Sequence, residues 1–85
     1  MAISKRYVFK SEKNEYFIYD EILDTNVLKL SDLTAVIFNH LKMNKLPDDI
    51  AYILAKDLHI REDILIRDIE DFIYMLRKKG IYENN

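Results

Sequence analysis

The chain contains no cysteine, a single glycine and only two histidines, and each scarcity removes a class of chemistry. Without cysteine there is no disulfide framework, no thiolate metal site and no cysteine nucleophile, a composition compatible with a reducing cytosol. The lone glycine, Gly80, excludes a glycine-rich phosphate loop, and no serine stands in a nucleophile-elbow context. His40 and His59 are not at metal-ligand spacing, and both fit solvent-facing helix positions. Asp48 with Asp49, and Asp68 with Asp71, resemble paired carboxylates, but helix-terminus charge and surface solvation account for them. The expectation is a protein that is not an enzyme and that carries no cofactor and no metal.

Long apolar runs are missing too. The opening MAISKRYVFKSEKNEYF has no stretch of signal-peptide length, and no later segment approaches the roughly 20 apolar residues of a membrane span. A soluble, cytoplasmic protein with no membrane partner is expected. Positive charge is not in excess either: 13 Lys and Arg face 15 Asp and Glu, so no field gathers phosphate backbones from solution. Tyr7, Tyr16, Phe17 and Tyr19 could form a stacking platform, yet Met1 to Leu30 holds five basic and five acidic residues where a nucleic-acid groove would be basic. Strand packing explains these aromatics better, and nucleic acid is disfavoured as a partner.

What remains is 85 residues, 49% hydrophobic and 33% charged, which suits one small domain over residues 1–85 with a modest core. Arg6 to Lys10 and Glu15 to Ile22 are rich in β-type residues, and the polar SEKNE between them supplies a turn. A second break at Asp24 to Asn26 leads to a third strand, Val27 to Leu30, placed at the sheet edge. Ser31 can cap a helix over Asp32 to Met43, whose apolar residues Leu33, Val36, Ile37, Phe38 and Leu41 recur at helical spacing. Asn44 tolerates the left-handed conformation that ends helices, and Pro47 suits the start of the next.

The second helix begins near Asp48, carries Ile50, Ile53, Leu54 and Leu58, and stops around His59. A third runs from about Asp63 to Lys79 with acids in its first turn, bases in its last and Gly80 as its stop. Its stripe of Leu65, Ile69, Phe72, Ile73 and Leu76 should pack on the sheet and the other helices. A polar tail, Glu83 to Asn85, follows. The predicted fold class is α+β, a three-stranded antiparallel sheet followed by three helices in a winged helix-turn-helix-like order. Function is expected at the junction NVLKLSDLTAVIF, Asn26 to Phe38, where a strand runs straight into a capped helix.

The strings VLKLSDLTAVIFNHL, LPDDIAYILAKDL and DIEDFIYMLRKKGIY resemble the PqqD-like proteins, also called RiPP recognition elements, over roughly Tyr16 to Tyr82. The family's strand-to-helix pattern is matched by Leu30, Ser31, Ala35 and Phe38. Asp49 and Ile50 match its second helix, Asp68, Ile69 and Phe72 its third, and Gly80 and Ile81 its closing pair. Two positions depart: Met43 and Asn44 stand where the family often has Asp-Gly, and Phe38 where it usually has Trp.

The resemblance implies a stand-alone, non-catalytic adaptor. It would bind the leader of a ribosomally synthesised precursor peptide and present it to a modifying enzyme, of radical-SAM, lasso-peptide protease/cyclase or similar type. It also implies that the leader adds as a strand beside Asn26, Val27, Leu28, Lys29 and Leu30 and packs against the third helix. One flank of that helix offers Ile64, Asp68, Phe72 and Met75, with Asp71 and Lys79 at its edges, mixing apolar and acidic residues suited to apolar anchors and to Lys or Arg, with core packing the alternative role for Phe72. The opposite flank, with Glu70, Tyr74 and Arg77, is the competing assignment.

Two other readings share the element order. A winged-helix DNA-binding regulator would place the third helix in a major groove, but Glu62, Asp63, Asp68, Glu70 and Asp71 crowd it. A weak or domain-swapped dimer could pair edge strands, since only Lys29 protects the third strand; otherwise the chain is a monomer.

Overall fold

The structure is a computed structural model that describes residues 2–83. Eight elements follow one another: β1 Ala2–Ile3, β2 Tyr7–Glu12, β3 Glu15–Asp20, β4 Thr25–Leu30, α1 Asp32–Lys42, α2 Pro47–Leu58, α3 Glu62–Lys78 and β5 Tyr82–Glu83. Strands β2, β3 and β4 form an antiparallel meander in chain order, and β1 pairs with β5 in a separate two-stranded ribbon. The α+β class and the order of three strands before three helices are as expected from sequence.

The meander's two turns are built differently. Lys13 and Asn14 join β2 to β3 with φ of 51° and 64°, the two left-handed residues that let a two-residue loop match the strand twist. At the other end β3 stops at Asp20, two residues short of the predicted Ile22. The Asp20 carboxylate accepts hydrogen bonds from the N–H groups of Ile22 and Leu23, at 2.9 and 3.2 Å, and thereby bends the chain out of the strand. Ile22 and Leu23 are consequently exposed despite their β-type character.

Three helix ends are set by recognisable local chemistry. Ser31 accepts from the N–H of Thr34 while the Thr34 hydroxyl accepts from the N–H of Ser31, a reciprocal cap for α1. Asn44 ends α1 at φ 62°, with its N–H to the Leu41 carbonyl and that of Lys45 to the His40 carbonyl. Gly80 ends α3 the same way at φ 73°: its N–H meets the Arg77 carbonyl and that of Ile81 the Leu76 carbonyl, and the side chains of Leu76 and Ile81 are both buried.

The buried residues form one cluster in which Ile18 and Leu30 of the sheet meet Ile37, Phe38 and Leu41 of α1, Ile50 and Leu54 of α2, and the α3 stripe Leu65, Ile69, Phe72, Ile73 and Leu76. Of the predicted core positions, Leu33 and Ile53 are half-buried and two are exposed. Val36 is 42% exposed because it lies on the side of α1 away from the buried Phe38 and Leu41, and Leu58 is 46% exposed because it is the last residue of α2, although it shares a face with the buried Ala51 and Leu54. The ribbon was not expected: Ala2 pairs with Glu83 and Ile3 with Tyr82, burying Ile3 and Tyr82. Glu83 therefore belongs to a strand, while Asn84 and Asn85 of the predicted polar tail lie outside the described residues.

Candidate functional site

Among the described residues β4 pairs with β3 alone, so its outer side presents backbone N–H and C=O groups to no strand partner. The pairing runs Tyr16 with Leu30, Phe17 with Lys29 and Ile18 with Leu28, then steps to Tyr19 with Asn26 and Asp20 with Thr25. Val27 is the extra residue of a bulge. Strict alternation would send Val27 and Leu28 to opposite faces, yet both are half-buried against the core, which the bulge makes feasible.

Beyond the end of β4, a groove of about 330 Å³ opens between α1 and α3. Leu33, Thr34 and Ile37 form one wall, and Asp68, Asp71, Phe72 and Met75 the other. Phe72 and Ile37 are buried and make an apolar floor, whereas Asp68 and Asp71 are exposed at the rim. Neither aspartate enters an ion pair among the described residues. The rim therefore presents two uncompensated negative charges above an apolar floor.

A second hollow, about 290 Å³, lies at the other end of β4, between Tyr7, Leu23, Val27, Lys79 and Ile81, with Arg6 and Asp20 at its base. Val27 precedes Leu30 on β4 whereas Lys79 follows Met75 on the helical side, so strand and helix run in opposite directions along the cleft. Arg6 grips the buried Asp20 with two parallel bonds, Nε to Oδ1 at 3.0 Å and Nη2 to Oδ2 at 2.6 Å. The Arg6 guanidinium holds the Asp20 carboxyl below the usual carboxylate range against the opposing effect of burial, aided by the N–H groups of Leu23 and Ile22. Asp20 reciprocally raises Arg6.

Each residue singled out from sequence now has a place. Asn26 and Lys29 are exposed, Val27 and Leu28 half-buried, and Leu30 buried, so Leu30 offers its backbone and not its side chain to the edge. Lys29 is drawn across the sheet to Glu15, with Nζ to Oε2 at 3.0 Å. Asp68, Asp71, Phe72 and Met75 come together in the groove. Ile64 is exposed on the turn before Asp68 and does not line it. The residues of the other flank, Glu70, Tyr74 and Arg77, are exposed and do not line this hollow.

His40, expected in solvent, is half-buried with Nδ1 3.1 Å from the Lys45 ammonium. Burial and then Lys45 push its pKa down, with Asp57 opposing them. His59 caps α2 in the left-handed conformation at φ 56° and is exposed.

The α1 wall falls within the junction Asn26 to Phe38 where function was expected, but Leu33, Thr34 and Ile37 were not singled out as peptide-binding residues. The spacing of Leu33 and Ile37, one turn apart, carried the signal, but it read as core. The base of the second hollow carried no local signal, because Arg6 and Asp20 are 14 residues apart.

Two solved structures share this fold. TbiB1 in complex with the TbiA(beta) leader peptide aligns with a TM-score of 0.82 over 100% of this chain and 98% of that one, at 22% sequence identity. Lasso peptide synthetase B1 complexed with the leader peptide aligns with a TM-score of 0.80 over 96% of this chain and 95% of that one, at 18% identity. No family profile and no curated protein matches this sequence.

Proposed function

We infer that this chain is a peptide-binding adaptor of the RiPP recognition element type, capturing the leader of a ribosomally synthesised precursor and presenting it to a modifying enzyme. The observation that carries this reading is the open β4 edge running between two hollows, one apolar with an acidic rim. Both solved structures of the same fold are complexes with a leader peptide, which supports a peptide-binding role for this chain. The chain's own part is binding and orientation, with no chemical step assigned to it.

Magnitudes set what the guest must bring. Five new main-chain hydrogen bonds net about 1 kcal/mol each, and ordering a flexible segment offsets much of that. One or two apolar anchors, at about 1.5–3 kcal/mol apiece, bring the total toward a micromolar constant, about −8 kcal/mol. Leu33, Phe72 and Met75 receive such an anchor, and Asp68 and Asp71 meet Lys or Arg beside it.

The winged-helix DNA reading is disfavoured by the α3 surface, where the exposed residues Glu62, Asp63, Asp68, Glu70 and Asp71 would face phosphates.

The test is calorimetry with the leader of a precursor peptide encoded beside this chain. Along a strand, successive residues aim their backbone groups to opposite sides, so of Leu28 and Lys29 one N–H faces β3 and the other the open edge. Leu28→Pro and Lys29→Pro are therefore made as a pair, with circular dichroism to check folding. Affinity should collapse in at least one variant that stays folded, and fall about tenfold when Asp68 and Asp71 are both changed to Lys. Unchanged affinity in two folded proline variants would refute strand addition at β4.

A further inference from the structure

α1 borders a second recess on the side away from the acidic groove. It has a volume of about 440 Å³ and lies between α1, the end of α2 and the α2–α3 connection. Val36 and Leu58, the two predicted core residues that the fold leaves exposed, form its walls with Ile60, while Asp32 and Asp57 stand at its rim. Leu33 lines both this recess and the peptide groove.

Asp57 is the informative residue. It lies in the last turn of α2, where a carboxylate opposes the helix dipole, and no ion pair compensates it among the described residues. A lysine would suit that position better for folding. Asp32, in the first turn of α1, is favourable to its helix, but it too lacks an ion pair among the described residues. The recess thus pairs an exposed apolar lining with two negative charges, complementary to an apolar segment flanked by Lys or Arg.

The occupant's backbone is constrained as well. Among the described residues no strand lines the recess, so an extended guest would find no sheet edge to extend here. A helix arrives with its own hydrogen bonds satisfied. We propose that the α1–α2 recess docks an amphipathic helix of a protein partner, presenting apolar residues one turn apart with Lys or Arg on either side.

The inference does not depend on peptide capture at β4. If both hold, Leu33 is the wall through which occupancy of one site is felt at the other, and the docked helix is that of the enzyme receiving the leader.

The test titrates the isotopically labelled full chain with a synthetic amphipathic helix carrying two leucines one turn apart between flanking lysines, followed by amide chemical shifts. A second peptide replaces the lysines by glutamates. The expected result is saturable shifts centred on Val36, Asp57, Leu58 and Ile60, with binding at least tenfold weaker for the glutamate peptide. Asp57→Lys, which favours the α2 dipole and so keeps the fold, should weaken the lysine peptide at least tenfold, as should Val36→Asp. Shifts centred on Phe72 and Met75, equal binding of the two peptides, or undiminished binding to Asp57→Lys would each overturn the proposal. Loss of leader binding in the β4 proline variants, with these shifts intact, would separate the two surfaces.

Discussion

At the β2 edge of the sheet, Lys42 of α1 reaches the Tyr7 carbonyl at 2.7 Å, whereas at the β4 edge the one lysine, Lys29, is turned across the sheet to Glu15. Both edges carry a cation, but only the first uses it against the backbone. Lys42 is half-buried there, and that burial pushes its pKa down, a desolvation cost accepted for a bond that anchors α1 to β2. Lys29 stays exposed, in an ion pair of the kind that contributes little to stability. Edge protection is thus a matter of where the charge is aimed. By that measure β2 is partly closed and β4 is open.

The largest effect should erase the comparison altogether. Leu76→Ala empties a fully buried position shared by the α3 stripe and its C-terminal stop, and should cost about 2–5 kcal/mol in denaturant unfolding. In so small a domain this approaches the whole stability, and both edges would be lost together.

Next in size is the contrast itself. Proline at Phe9 or Lys10 of β2, in whichever variant stays folded, should leave peptide affinity within a factor of about two, while the matching β4 pair loses it. Equal losses from the two edges, measured by calorimetry, would mean that β4 is not the binding strand.

The third prediction concerns the turn at the mouth of β4. Because Arg6 lowers the Asp20 carboxyl in the folded state, the associated stability is fully present above the ordinary aspartate value of about 3.9 and is lost as pH falls through the lower folded value. Denaturant midpoints measured from neutral pH down to about 2 should fall at the acid end. In Asp20→Asn the neutral-pH midpoint should be lower and the acid decline shallower. A variant with an unchanged acid profile would remove Asp20 as the source.

Lys29→Ala should change stability by no more than about 1 kcal/mol, and less in high salt, since its partner Glu15 is also exposed. A larger loss would show that the β4 lysine is structural after all.

Much of this frame was legible from local pattern. The α3 stripe repeats at helical spacing, and Ser31, Asn44 and Gly80 mark helix ends by chemistry that acts within a few residues. The groove's α3 wall was readable for the same reason, as a flank beside that stripe. What stayed hidden depends on distant partners. Ala2 and Glu83 meet only once the core has formed, and Arg6 finds Asp20 across a hairpin. Val36 and Leu58 fit an apolar periodicity as well as their buried neighbours do. Val36 is turned to the far side of α1 from Phe38, and Leu58 stands where α2 ends, so the packing of a helix face and the position of its last turn decide their exposure and not apolar character. The Val27 bulge was illegible because a run of Val and Leu reads as regular strand until its neighbour's register is known.

That extra residue at Val27 has a consequence for fidelity. A perfectly uniform ladder is degenerate, since a strand displaced by two positions regains every main-chain bond and only its side chains can object. An irregular step in the template breaks that translational symmetry. It gives the edge an origin from which any incoming chain is counted, so phase is selected by shape before a single residue type is read.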